Sequence, residues 1–215
     1  MGRNIMKGDV SMLSRKHTSY YFSQVTHKHF KIYKPYGMLS QLSSRDKTQL
    51  RKKKFLAELY DFPQGTMPIG RLDEKSEGLL LLTTDGKVSD IVNRSGIEKE
   101  YYAQIDGIIT EEALIKLRSG IEIGFDGKKY TTKPCKVYPV NEEPNFPERG
   151  KKLRDARHGP TSWIRLIIKE GKFRQVRKMT SAAGFPTLRL VRVRVGTISL
   201  NSLIPREVQS INEIV

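Results

Sequence analysis

The sequence is poor in cysteine, histidine, acidic residues and long apolar runs, and each shortage excludes something. Its one cysteine, Cys135, allows neither an intrachain disulfide nor a CxxC metal knuckle, which fits a reducing, cytoplasmic setting. The four histidines, His17, His27, His29 and His158, fall in polar or basic stretches without ligand spacing, so no metal and no other cofactor is expected. No run approaches the roughly 18 apolar residues of a membrane span, and no basic helix carries an aromatic face, so no membrane association is expected. The basic N-terminus lacks the apolar core of a secretory signal, and its Met-Gly start lacks the Ser or Thr at position 6 that myristoylation wants; an organellar transit peptide is left open.

The shortage of acids matters most. Against 39 Lys and Arg stand only 23 Asp and Glu in 215 residues, a net charge of +16 and a pI near 9.9. A polyanionic partner, nucleic acid above all, suits that balance, although a merely solvated basic surface would share it. The charge is uneven: up to residue 60, 13 Lys and Arg face three acids (Asp9, Asp46, Glu58). Residues 1–27 read as a flexible basic arm and 28–215 as one catalytic domain, with a monomer as the default state.

A hydrophobic content of 37% is enough for a core, and periodicity says how it is built. The four leucines at 79–82 predict a buried strand. "EKEYYAQIDG" alternates Tyr101, Ala103 and Ile105 against Glu100, Tyr102 and Gln104, the period of a strand. Thr110 then caps a helix with Glu111 and Glu112 in its first turn, Ala113, Leu114 and Leu117 inward, and Gly120 as its stop. "TSWIRLIIKEG" alternates again, with Ile164, Leu166 and Ile168 on one face. "KFRQVRKMTSAAGFP" predicts a helix with Phe173, Val176, Thr180 and Ala183 on one stripe, and "LRLVRVRVG" a strand with Val191, Val193 and Val195 opposing Arg192 and Arg194. "RKKKFLAELYDF" predicts a short helix with a basic start. Alternating strands interleaved with helices argue an α+β fold with an antiparallel or mixed sheet. Residues 139–162, with four prolines and the cluster KKLRDARH, read as a long loop suited to substrate contact.

Two constellations could carry chemistry. In "GRLDEKSEGLLLLTTDG" (70–86), Asp73 precedes the buried run, so its loop is anchored to the core; as a carboxylate among cations it could act as a nucleophile or base, or be no more than a turn residue. In "EGKFRQVRKM" (170–179), Arg174, Arg177 and Lys178 lie three and four apart and would put three cations on one helix face.

Together these residues resemble the pseudouridine synthases of the RsuA type, which isomerise uridine in ribosomal RNA. Gly70, Arg71, Leu72 and Asp73, with Ser76, Gly78, Leu79 to Leu82 and Thr83, are similar to that family's central motif, "YKPYGMLSQ" (33–41) to its first motif, "KEYYAQI" to its tyrosine motif and "EGKFRQVRKM" to its late motif. The order is right, over about residues 29–200. A 27-residue arm is too short for the S4-type RNA-binding module that many members carry, so the resemblance is to the branch without it. The resemblance implies a pseudouridine synthase fold, a mixed, mostly antiparallel sheet with flanking helices and two sub-lobes around a basic cleft. It implies Asp73 as the catalytic residue, Arg177 paired with it and Tyr101 against the target base, with Arg71, Lys34, Arg174, Lys178, Arg192 and Arg194 as RNA-binding residues. The implied partner is ribosomal RNA or a large-subunit assembly intermediate. A non-catalytic RNA-binding assembly factor, a synthase acting on transfer RNA, and a glycoside hydrolase using Asp73, Glu74 and Glu77 are the alternatives.

Overall fold

The computed structural model describes residues 26–151, 153 and 156–214. Residues 1–25 of the expected arm lie outside the described residues, as do Lys152, Arg154 and Asp155 of the KKLRDARH cluster. In chain order the elements are β1 (His29–Lys34), α1 (Lys47–Lys52), β2 (Met67–Ile69), β3 (Glu77–Thr83), α2 (Gly86–Arg94), β4 (Lys99–Asp106) and α3 (Glu111–Ser119). They continue with β5 (Glu122–Phe125), β6 (Lys128–Thr131), β7 (Lys136–Val140), β8 (Thr161–Ile168), α4 (Gln175–Ala182), β9 (Thr187–Val195), β10 (Ile198–Ser199) and β11 (Val208–Ile211).

Among the described residues nine strands form one mixed sheet in the order β11-β1-β3-β9-β4-β8-β7, with β2 added to β3 and β10 to β9; β5 and β6 make a separate hairpin. The α+β expectation holds: the sheet is antiparallel throughout except where β3 meets β9, a parallel contact of two residue pairs, Glu77 with Val191 and Gly78 with Arg192. The half-sheets β11-β1-β3 and β9-β4-β8-β7 join at this short seam. Gly78 makes the seam possible. At φ +99° a Cβ on it would lie 2.3 Å from the Arg192 carbonyl oxygen, closer than any side-chain carbon can come.

The leucine run is continuous because β3 has a core on each face. Leu80 and Leu82 join Phe30, Ile32, Ala103 and Leu190 on one side; Leu79 and Leu81 join Tyr33, Ile69, Val191 and Val195 on the other. At about 1.5–3 kcal/mol for each buried leucine, this strand is a main anchor of the fold. In β4 and β8 the expected alternation is present, with Tyr101, Ala103, Ile105, Ile164, Leu166 and Ile168 all buried on the first side. Thr110 caps α3 by accepting a hydrogen bond from the Ala113 amide at 3.3 Å, and Ala113, Leu114 and Leu117 are buried.

Three local expectations are corrected. No helix spans residues 51–62. Asp46 instead accepts from the Thr48 and Gln49 amides and starts α1 earlier, Lys54 bridges to Met38 in extended form, and only a 3-10 turn forms at Leu56–Glu58. Helix α4 begins at Gln175, because Arg174 takes a left-handed conformation (φ 53°, ψ 32°); Phe173 is therefore off the buried stripe and 66% exposed. In β9 the pairing skips Val193, since Glu100 opposes Arg194 while Tyr101 opposes Arg192. Val191, Val193 and Val195 pack in one cluster as expected, but the bulge turns Arg194 to a pocket it shares with Val193, away from Arg192.

Candidate active site

Asp73 lies in the loop between β2 and β3, and the segment around residues 37–40 clamps that loop from beside it. The Leu72 amide donates to Ser40 Oγ at 2.9 Å while that hydroxyl donates back to the Leu72 carbonyl at 2.8 Å. The Gly37 amide donates to the Glu74 carbonyl at 2.8 Å, and the Ser76 amide closes the turn on the Asp73 carbonyl at 3.0 Å. With Leu72 buried and β3 locked on both edges, the carboxylate is held by backbone bonds before any side chain acts on it.

Two arginines converge on that carboxylate, both at Oδ2. Arg174 Nη1 donates to it at 3.2 Å, and Arg177 Nε stands 3.7 Å away, an ionic contact too long for a hydrogen bond. Oδ1 makes no such contact among the described residues. Arg177 is the more deeply set. It donates to the Lys75 carbonyl (2.8 Å), to Ser76 Oγ (3.3 Å) and to the Thr187 carbonyl (3.1 Å), tying α4, the start of β9 and the Asp73 loop together. Burial pulls its pKa below the ordinary arginine value, with the Asp73 charge opposing that shift.

The carboxylate opens on a cavity of about 160 Å³. Tyr101, 7% exposed on β4, forms part of its wall with Ile168, Leu190 and Val176. Among the described residues five cations line it, Arg71, Lys99, Lys172, Arg174 and Arg192, against the single carboxylate of Asp73. Such a cavity suits one flat, neutral group attached to an anionic chain. It does not suit two-carboxylate glycoside hydrolysis. Glu74 is paired with Lys53 at 2.8 Å, and Glu77, 2% exposed, is paired with Arg189 at 3.0 Å; neither lines the cavity. Among the described residues no cluster of three or more His, Cys, Asp or Glu side chains could hold a metal ion, and no helix is long and apolar enough to cross a membrane.

The residues singled out for RNA contact divide. Arg71 is exposed at the cavity, and Arg174, Arg177 and Lys178 line the adjoining groove beside the β5–β6 hairpin, where Lys178 donates to the Gly124 carbonyl at 2.7 Å. Arg192 is only 3% exposed; it is part of the cavity wall, and its Nε donates to the Leu79 carbonyl. Lys34 does not match the expectation. It is fully buried, with Nζ donating to the Met38 and Pro35 carbonyls at 2.7 and 3.0 Å, so it braces the fold out of reach of a phosphate. Arg194 does not match it either. The bulge at Val193 turns it to a second pocket, where it donates to Glu100 at 2.8 Å and Glu98 at 3.1 Å.

Three cations escaped the sequence reading, Lys99 and Lys172 in the cavity lining and Arg149 at its edge. Lys99 lines the cavity two residues before Tyr101 on the same strand face, a position the strand period could have flagged; burial and the nearby Arg192 lower its pKa. Arg149 brings the long loop to the edge of the site by lying 3.9 Å over the Tyr36 ring and donating to the Leu188 carbonyl. No sequence signal marks that contact.

The family model described as RNA pseudouridylate synthase matches residues 28–182 of the chain. The chain is 41% identical over 174 residues to the ribosomal large subunit pseudouridine synthase E of Xanthomonas axonopodis pv. citri, covering 80% of this chain and 87% of that protein. It is also 41% identical over 174 residues to the synthase E of Vibrio parahaemolyticus, covering 80% and 68%. With the ribosomal large subunit pseudouridine synthase B of Bacillus subtilis it shares 33% identity over 178 residues, covering 81% and 64%. Among solved structures, a crystal structure of pseudouridylate synthase superposes with a TM-score of 0.68 at 24% identity, covering 86% of this chain and 70% of that one, a likeness of fold.

Proposed function

The chain belongs to the RNA pseudouridylate synthase family, and from that premise we propose that it converts a specific uridine of large-subunit ribosomal RNA into pseudouridine, with Asp73 as the catalytic carboxylate. The relatives named for the large ribosomal subunit support the choice of RNA. The observation that carries the assignment to Asp73 is its geometry: one carboxylate, held through a single oxygen by Arg174 and Arg177, at a cavity large enough for one base, walled by Tyr101 and apolar side chains and rimmed by five cations.

A uridine inside folded RNA hides its glycosidic bond, so the nucleotide is flipped out, at a few kcal/mol of unstacking. The cations of the cavity and groove receive the backbone, and the Tyr101 ring offers a face to the extruded base, a contact worth about 1–3 kcal/mol. Asp73 assists cleavage of the N1–C1′ bond, either by attacking C1′ or by removing a ribose proton. The freed uracil turns and rejoins C1′ through C5, which loses its proton while N1 gains one. Nothing enters or leaves in the balance, so the isomerisation calls for no donor or oxidant. Arg177 keeps the carboxylate in register through the turn it ties down, and Arg71 braces the position that the base vacates. The reading is of a monomeric, cytoplasmic enzyme that works without a metal.

The test is incubation of the wild type and Asp73→Asn with unmodified large-subunit transcript, with subunit precursors and with transfer RNAs, followed by carbodiimide-dependent primer-extension mapping. A wild-type stop on the large-subunit RNA that Asp73→Asn abolishes without losing RNA binding is expected. Stops on transfer RNA alone would reassign the substrate. RNA binding without a stop on any of these RNAs would favour a non-catalytic assembly factor.

A further inference from the structure

Phe173 is a large apolar side chain, 66% exposed, one residue away from a side chain that grips Asp73. Leaving it in water forgoes the stabilisation that a buried ring brings. Among the described residues two other aromatic side chains are exposed, and neither lies beside the Asp73 site. Tyr60 packs against Phe30 and Phe62 with ring centroids 5.7 and 5.2 Å away, and Arg165 covers the ring of Tyr138 at 5.0 Å. The ring of Phe173 has the ammonium of Lys178 at 5.3 Å.

Its exposure is built into the backbone. The turn that carries it is closed at both ends: the Lys172 amide donates to Gln175 Oε1 at 2.9 Å, and the Gln175 amide donates to the Lys172 carbonyl at 3.1 Å. Gln175 is itself buried, and its side-chain amide donates to Glu170. Within this turn the left-handed Arg174 reverses the chain, sending the Arg174 guanidinium to Asp73 and leaving Phe173 outside the helix stripe. A non-glycine residue at positive φ is strained, so the arrangement is held by its surroundings. A rigid aromatic displayed between cations beside a nucleotide-sized cavity has the two components of single-strand recognition, a stacking face and a positive field.

We propose that Phe173 is a stacking platform for an RNA base next to the flipped uridine. The inference rests on the RNA-modifying reading above and adds a contact outside the base cavity. Extraction of one nucleotide unstacks its neighbours, and the exposed ring, beside Lys178 of the groove that Arg174 and Arg177 also line, takes one of the bared faces.

The test uses the full chain with Phe173→Ala, Phe173→Leu and Phe173→Trp. Ala and Leu are expected to weaken binding to large-subunit transcript, and to lower kcat/KM for pseudouridine formation, by about 5- to 150-fold, the range that base stacking spans. Trp is expected to retain both, and all three melting temperatures to stay at the wild-type value, because the ring packs into no core. The emission of Phe173→Trp, above the wild-type signal of buried Trp163, should be quenched by a single-stranded oligoribonucleotide and unaffected by an abasic one with the same number of phosphates. Wild-type behaviour of the Ala variant, or a Leu variant equal to wild type, would overturn the proposal. Equal quenching by the abasic strand would do the same, since the contact would then be one of charge alone. If no RNA is pseudouridylated by the wild type, the functional reading fails, whereas binding and quenching still decide the role of Phe173.

Discussion

Lys34 gives the structure a pH dependence whose sign and size can be worked out. Its ammonium nitrogen is fully buried and its hydrogen bonds go to two backbone carbonyls. Burial lowers its pKa from 10.5 to about 7, the charges of Glu77, Asp73 and Glu74 opposing the shift and that of Arg192 adding to it. Between those two values the unfolded chain holds a proton that the native chain has released, so stability rises with pH across the window, at up to 1.36 kcal/mol per pH unit. The contribution is fully present above pH 10.5 and is lost as pH falls towards 7, for a total of about 5 kcal/mol. Above pH 9 the Cys135 thiol, pushed up to about 11 by burial, acts in the opposite sense. A comparison with Lys34→Met cancels such terms. Urea unfolding of both proteins at fixed ionic strength should therefore show wild type gaining about 2 to 3 kcal/mol on the variant between pH 7.5 and 9.5. A constant difference over that range would refute the reasoning, because it would mean that the folded ammonium keeps its ordinary affinity for the proton.

Gly78→Ala should cost at least about 3 kcal/mol, read as a lower melting temperature, because a Cβ there meets the Arg192 backbone at 2.3 Å and the residue must keep φ +99°; a shift of only a degree or two would mean that the seam can open cheaply. Glu77→Gln should cost about 3–5 kcal/mol by leaving Arg189 buried without its charge partner, and near-neutrality in urea unfolding would speak against a buried pair. Arg177→Lys keeps the charge but not the simultaneous bonds to Lys75, Ser76 and Thr187, so kcat should drop about tenfold or more with little change in KM; an unchanged kcat would remove Arg177 from the positioning of Asp73.

What could be read from the sequence was what local chemistry decides. The leucine run, the Tyr101 strand and the Thr110-capped helix each carry their own signal, a continuous apolar stretch, a period of two, and a cap followed by acids, and all three are present in the structure. The misplaced helix at 51–62 has the same cause in reverse: four apolar positions looked periodic, but Asp46 offered a better N-cap upstream, and Phe55 and Leu56 found burial without a helix. The parallel seam between β3 and β9 left no local trace, because it joins distant segments through the one residue without a side chain to obstruct it.

Within the site the divide falls between charge and position. The motifs announced that arginines would accompany Asp73, but spacing along an assumed helix could not say which would reach it. The left-handed backbone at Arg174 decides that: it takes Arg174 off the helix and onto the carboxylate, leaves Arg177 to lock the turn from within α4, and exposes Phe173. The bulge at Val193 does the same for β9, keeping Arg192 in the cavity wall while sending Arg194 to the acids of the other pocket. In both places an irregularity of one residue re-aims a side chain whose identity is plain in the sequence. Irregularities of this kind are stable only where the surrounding fold over-determines them. Around Asp73 the surroundings that do so are the clamped loop, the seam and the buried Gln175, which is why the arrangement of the site follows from the assembled sheet and not from the motif alone.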